Sequence, residues 1–383
     1  MNKKNLSFFA ILILVGAIIV FAMLWMIFKQ APLETKNEKK SINKVIMVTD
    51  AGGLGDQAFN DSGWKGVQNA SKILGVKADV IQSKEGDDLV VNVSRAAENA
   101  DVVVGMGFMI KDAIAKNAPL YPFTKFILID EDAGNLPNIA SYKFYAGQGG
   151  YLAGIISASV SKTGKIGIVK GMDISPVLTW VAGFEAGVKT WNEKMGKDVK
   201  VISKTAGTFT DAEKGKTLTK ELITEGSDIV FDAAGATGKG VFEAIQEANR
   251  TEGITAEEII SGLKVPKYFA VATDIDHDEI FTGEVLVTGL KKMSEAIYNA
   301  IEDITKNKFK NGLHSVGFKE NATGISEMKY TKKYVPKEAL ALVKKAEELM
   351  TNQDSRLQIP LDMMDVVEYV KNFKVPEELL NLK

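Results

Sequence analysis

Cysteine is absent from the 383 residues. That removes disulfides, thiol catalysis, thiolate metal sites and lipid attachment through an N-terminal cysteine. Histidine occurs only at His277 and His314, too few for a His-rich metal cluster. A basic surplus is missing as well, because 47 Lys and Arg face 49 Asp and Glu for a formal charge of −2. Nucleic acid is therefore not expected as a partner, since binding it relies on neutralising phosphates. What remains is 45% apolar and 25% charged, the balance of a folded globular chain. Its length suggests two domains of ordinary size.

The N-terminus carries one long apolar run, residues 8–28, preceded by Lys3 and Lys4 and followed by Lys29. At about 1.5 Å per residue it can span a hydrocarbon core of roughly 30 Å. Its end, Leu24-Trp25-Met26-Ile27-Phe28, is bulky where a signal peptidase needs small residues. The expectation is an uncleaved, single-pass anchor over residues 1–30 in the cytoplasmic membrane. Its positive flank stays inside and the remainder lies on the extracytoplasmic face. Residues 31–43 read as a polar linker.

Beyond residue 43, short β-branched runs alternate with amphipathic stretches. Strands are expected at 45–49, 78–82, 101–106, 125–130 and 138–144, then at 165–171, 199–206, 228–235, 268–274 and 284–290. Trp64, Val67, Ser71 and Leu74 recur at helical spacing, as do Val241, Ile245 and Ala248. Such alternation predicts parallel sheets flanked by helices. The glycine-rich stretch 145–150 marks a place for the chain to change domain. Two doubly wound α/β lobes follow: lobe 1 from 44–146 with about 286–350, and lobe 2 from 147–285. A charged helix at 336–350 precedes a C-terminal extension, residues 351–383.

In open parallel sheets, ligands gather beyond the carboxyl ends of strands. Asp50 ends the first strand, before Gly52, Gly53 and Gly55. Those glycines lack the G-x-G-x-x-G spacing, and Asp50 and Asp56 would repel a pyrophosphate. Asp50 instead offers two acceptor oxygens suited to paired hydroxyls. Phe59 and Asn60 open the next helix, where a core role for Phe59 is the plain alternative. Asp130 and Asp274 end later strands, as helix caps also do. Phe209, in Gly207-Thr208-Phe209-Thr210-Asp211, offers a second aromatic on the other lobe. Gly235 begins a loop, Gly235-Ala236-Thr237-Gly238-Lys239-Gly240, that lacks the P-loop pattern and favours close backbone approach to a neutral ligand. Asp274, Asp276 and Asp278 open like an EF-hand, but Glu279 and Val285 occupy its glycine and twelfth positions. Ser157, Ser159 and Ser161 lack a nucleophile elbow. No catalytic constellation emerges, so an enzyme is not expected and no cofactor is implied.

These residues carry a resemblance. Thr49-Asp50, Asp56, Phe59-Asn60, Trp64 and Gly66 are spaced like the opening motif of the basic membrane protein family, the PnrA-like purine nucleoside receptors of ABC transporters. Ile129-Asp130, Gly183-Phe184-Glu185-Ala186-Gly187, Thr208-Phe209, Asp211, Ala234-Gly235, Thr237-Gly238, Asp274 and Lys292 continue it in order. The resemblance covers about residues 44–350. It implies a type I periplasmic-binding-protein fold, two α/β lobes joined by a hinge, delivering a nucleoside to ABC permease and ATPase subunits. Phe59 and Phe209 would sandwich the base, and Asp50 and Asp274 would hold ribose hydroxyls with Lys292 beside them. Asn60 and Asp130 would read polar edges. Departures are Ala58 where serine is usual, Gly55 where an acid is common, and no lipid-bearing cysteine, whose place the apolar helix would take. A receptor for another small polar solute such as a sugar, or a membrane-attached sensory protein of the same fold, is the alternative left open.

Overall fold

Runs such as Val102-Val103-Val104 lose water on both faces when helices cover a parallel sheet from either side. Within them Val102, Val103 and Val104 are fully buried. A computed structural model describes residues 42–84, 87–357 and 359–382. The expected N-terminal anchor and most of its linker lie outside the described residues. Among the described residues no helix is long and apolar enough to cross a membrane.

All ten expected strands form, each within about two residues of its predicted bounds. They are β1 (Lys44–Val48), β2 (Lys77–Ile81), β3 (Val102–Met106), β4 (Lys125–Ile129) and β5 (Ile139–Phe144), then β6 (Lys165–Lys170), β7 (Lys200–Thr205), β8 (Ile229–Ala233), β9 (Phe269–Asp274) and β10 (Val285–Lys291). Two further strands, β11 (Gly312–Val316) and β12 (Thr323–Ile325), were not anticipated. They build two six-stranded sheets, ordered β11-β5-β4-β3-β1-β2 and β12-β10-β9-β8-β6-β7. Every neighbouring pair is parallel except β10 with β12, which is antiparallel.

Helices α1 (Phe59–Leu74), α2 (Leu89–Asn99) and α3 (Lys111–Asn117) flank the first sheet. Helices α4 (Ala146–Val160), α5 (Ser175–Met195), α6 (Ala212–Thr224), α7 (Lys239–Thr251) and α8 (Ala256–Ile260) follow with the second. The last four are α9 (Met293–Thr305), α10 (Lys337–Thr351), α11 (Val366–Asn372) and α12 (Glu377–Leu380). Helix α1 carries the expected spacing and ends at Gly75, whose φ of 76° gives the left-handed turn a helix stop requires.

The lobe boundaries differ from the expectation. Strand β10 pairs with β9 and so belongs to the second sheet. Helix α9 returns to the first lobe, where Met293, Ile297 and Ile301 share a core with Val67 and Ala70 of α1. Strand β12 and helix α10 then go back to the second lobe, with Ala339, Leu342 and Val343 in its core. The chain thus crosses between the lobes at 145–146, 291–292 and 322–323. A strand–helix–strand pattern is the same whichever sheet receives each strand, so the pattern could not assign them.

The glycine-rich stretch is also more than a crossing. It opens α4, and its glycines let α4 and α5 touch backbone to backbone. A Cβ at Gly183 would lie 2.0 Å from the Gly147 carbonyl oxygen, and one at Gly154 would lie 2.1 Å from the Phe184 oxygen.

Candidate functional site

The C-terminal edges of both sheets face one another across a cleft lined by residues of both lobes, the place where open α/β sheets gather ligands. On the first lobe Asp50 follows β1. Its Oδ1 accepts from Gly52 N at 2.9 Å and from Asn60 Nδ2 at 2.8 Å. Burial pushes the Asp50 carboxyl above its ordinary range, against those two donors. Asp56 is the true anchor of the α1 N-terminus: its oxygens accept from the backbone N–H of Ala58, Asn60 and Asp61 and from Asn60 Nδ2. Both amide protons of Asn60 are therefore spent on carboxylates. Its buried Oδ1 is left without a partner, a fixed acceptor at the cleft wall.

Strands β4 and β9 deliver Asp130 and Asp274 in the left-handed region, with φ of 68° and 70°. Such backbone strain clusters at binding sites. Between them lies Lys291, the last residue of β10. Its Nζ donates to Asp130 Oδ2 at 2.5 Å and lies 3.2 Å from Asp274 Oδ1. The Asp274 oxygen is within ion-pair range but poorly aligned, so it keeps an unfilled acceptor. The lysine side chain is 4% exposed and both aspartates 11%. Burial alone would push Lys291 down, yet Asp130 and Asp274 outweigh it and hold it above its usual value. Burial raises Asp274, which Lys291 offsets and the nearby Asp130 charge reinforces. The pair Lys291–Asp130 also joins the two lobes across the cleft.

Aromatic faces come from both sides. Phe59 stands under Lys291, whose Nζ is 5.0 Å from the ring centroid, a cation–π distance. Phe209 packs on the second lobe against Gly171, where a Cβ would fall 2.3 Å from the ring. The loops that carry Phe209 and Gly235 are fastened by Thr237, whose N–H donates to the Phe209 carbonyl at 3.1 Å and whose hydroxyl donates to the Thr208 carbonyl. At the cleft mouth, the Lys239 ammonium donates to the Gly55 carbonyl across the lobes.

The cleft thus brings together Asp50, Phe59, Asn60, Asp130, Phe209, Gly235 and Asp274. Lys292, expected beside the ribose, is not among them. It precedes α9, and its Nζ donates to Asn321 Oδ1 at 2.6 Å. Strand parity explains the slip, since successive side chains leave opposite faces: Lys291 points into the cleft and Lys292 away from it. Phe108, Trp180, Pro176 and Val177 also line the cleft, and nothing in their sequence context marks them. Trp180 sits inside α5, where a tryptophan at helical spacing reads as core.

Two parallel α/β lobes with a cleft at the strand carboxyl ends are the architecture of solute-binding proteins of the periplasmic type, among others. A solute-binding protein of an ABC transporter system from Aeropyrum pernix K1 superposes with a TM-score of 0.74 at 27% identity, covering 82% of this chain and 92% of that one. Residues 43–352 match the family described as ABC transporter substrate-binding protein PnrA-like, and the chain belongs to that family. An uncharacterized lipoprotein of Pyrococcus furiosus is 31% identical over 298 residues, 76% of this chain and 71% of that protein. The ABC transporter nucleoside-binding protein BmpA of Lactococcus lactis is 28% identical over 73% of this chain and 79% of its own. As a substrate-binding protein of this family, the chain works with a small-molecule ligand and with permease and ATPase subunits.

Proposed function

We propose that the protein is the membrane-associated, extracytoplasmic receptor of an ABC importer and that its cleft takes a nucleoside, with purines preferred. The observation that carries this reading is the pair Phe59 and Phe209, two aromatic faces supplied to one cavity by separate lobes. A flat base between them gains about 0.5–1.5 kcal/mol per ring pair beyond burial. The unfilled acceptors Asn60 Oδ1 and Asp274 Oδ1 call for ligand donors, which ribose hydroxyls and base N–H groups supply. Lys291 supplies the countercharge that a group of buried carboxylates needs. Because the contacts come from both lobes, only the closed state makes all of them, and ligand shifts the population toward closure. BmpA of Lactococcus lactis is named a nucleoside-binding protein and the Pyrococcus relatives are named lipoproteins, which supports this reading.

The test is calorimetric titration with inosine, guanosine, adenosine and free ribose. Binding of the nucleosides with ribose far weaker is the expected result. Ribose binding with no nucleoside binding would replace this reading with a sugar receptor.

A further inference from the structure

The family match ends at residue 352, yet the segment beyond it is built into the molecule. Leu357, Ile359, Phe373, Val375 and Leu379 are buried in the core of the second lobe. Around residues 359–363 the extension runs over the junction where β5 of lobe 1 passes into α4 of lobe 2. Ile359 fills the space at Gly147: a Cβ there would lie 2.4 Å from Ile359 Cγ2. Thr179 Oγ1, which donates to the Ser175 carbonyl at 2.9 Å, lies 3.4 Å from the Leu361 carbonyl. Asp362 then touches both lobes. Its Oδ1 pairs with the Lys143 ammonium of β5 and accepts from Ser175 Oγ of α5 at 3.2 Å. Met363 N donates back to Ser175 Oγ at 3.1 Å.

Behind the ligand cleft lies a small recess lined by Asp130, Lys291, Lys143, Thr179 and Leu361. Asp130 and Lys291 border both spaces, so the extension backs directly onto the inter-lobe ion pair. We propose that the C-terminal extension is a strap that ties the two lobes together at the hinge, walls the rear of the ligand site and thereby sets ligand affinity.

Two effects act through Asp362. The first is mechanical: three covalent crossings allow the lobes to bend, and a fourth, non-covalent tie restrains them. The second is electrostatic. Lys143 is 9% exposed and shares the recess with Lys291. Without Asp362 its ammonium is a second cation beside Asp130 and competes with Lys291 for that carboxylate. Asp362 itself is 69% exposed, and ion pairs with an exposed partner are weak, so the effect on affinity is about two- to fivefold. This inference rests on the cleft being the ligand site.

The experiment uses the full chain in detergent. Asp362→Asn keeps an oxygen for Ser175 and removes the ion pair, while Asp362→Glu keeps the charge. Because the chain has no cysteine, Lys65→Cys on α1 and Thr217→Cys on α6 allow unambiguous spin labels on the two lobes. Pulsed electron–electron resonance without ligand is expected to show a longer, broader inter-lobe distance in Asp362→Asn and the parent distance in Asp362→Glu. Inosine titration is expected to show the two- to fivefold loss in Asp362→Asn, shrinking at high salt. An unchanged distance distribution overturns the strap, and so does a lowered melting temperature with no change in distance or affinity. If the parent binds no inosine, the nucleoside reading fails while the distance measurement still decides the strap.

Discussion

At the residue scale the cleft turns on one lysine. Lys291 serves two buried carboxylates, and removing one partner of a buried group of charges costs about 3–5 kcal/mol because the others are left uncompensated. Lys291→Met is therefore expected to lower unfolding stability by an amount of that order and to abolish ligand retention. Lys292→Met, one residue along, should change stability by no more than about 0.5 kcal/mol. Denaturant melts of the two variants decide between them, and equal losses would contradict the assignment. The sequence showed Asp130, Asp274 and Phe59 because each sits where a strand ends or a helix begins, a position visible as a change of period; Phe209, in the loop between β7 and α6, stood out as an aromatic in a Gly-Thr-rich turn. It did not show which of two adjacent lysines faces the cleft, because that depends on the strand's exact register. A second residue effect concerns Asp232, fully buried in β8 beside Asp274. Burial raises its carboxyl from 3.8 to about 8, aided by the Asp274 charge and opposed by the Ala234 N–H. A folded value above the unfolded one means the folded chain holds a proton that the unfolded chain releases. The stabilising contribution is complete below the unfolded value and is lost as pH rises through about 8. Asp232→Asn keeps the acceptor for Ala234 and has no proton to lose, so its stability should fall less than the parent's between about pH 5 and about pH 9. Thermal melts across that range that fall in parallel for the two proteins would refute it.

At the scale of elements, ten strands were legible, edge strands β2 and β7 among them, and the two late edge strands β11 and β12 were not. Strands β1, β3, β4, β8 and β9 are buried on both faces and read as apolar runs. Strand β11 alternates half-buried and exposed residues at a sheet edge, and β12 has three residues. Neither has enough covered surface to leave a period in the sequence. The glycines at 145–150 mark the crossing between lobes as expected, but their second use, a close helix contact, is not visible in the sequence for a related reason. Glycine marks a turn when nothing contacts it, and a close helix crossing when another backbone does; only the packing tells the two apart. Here the partner is α5, and the crossing is intolerant. Gly183→Ala would place a methyl 2.0 Å from the Gly147 oxygen, forcing the helices apart. Overpacking of this kind costs about 1–3 kcal/mol and occasionally more. The expected outcome is a lower melting temperature together with weaker ligand binding, since α4 begins at the hinge and α5 carries Pro176, Val177 and Trp180 to the cleft. Gly164→Ala, where a Cβ meets nothing but φ is 69°, separates backbone strain from helix contact.

For the whole molecule, the net charge of −2 says little about the cleft, whose own charges decide what it admits. Asp50, Asp130 and Asp274 line the cleft against Lys291, which is already shared by two of them. Lys239 at the mouth is engaged with the Gly55 carbonyl. A phosphate entering this space meets in Lys291 a cation already shared by two carboxylates and carries its own charge toward them. Two like charges about 4 Å apart at an effective dielectric of roughly 20 repel by about 4 kcal/mol, and by about half that at twice the distance. A nucleoside 5′-monophosphate should accordingly bind at least about tenfold more weakly than its nucleoside. The discrimination is expected to depend on pH in a definite direction. Burial holds Asp50 and Asp274 above the ordinary carboxylate range, so lowering the pH neutralises them earlier than exposed acids, and the penalty on the phosphate shrinks. Titrating inosine and its monophosphate side by side from neutral to mildly acidic pH measures this directly. A ratio of affinities that stays constant, or that grows as the solution is acidified, would mean that the cleft carboxylates do not meet the ligand.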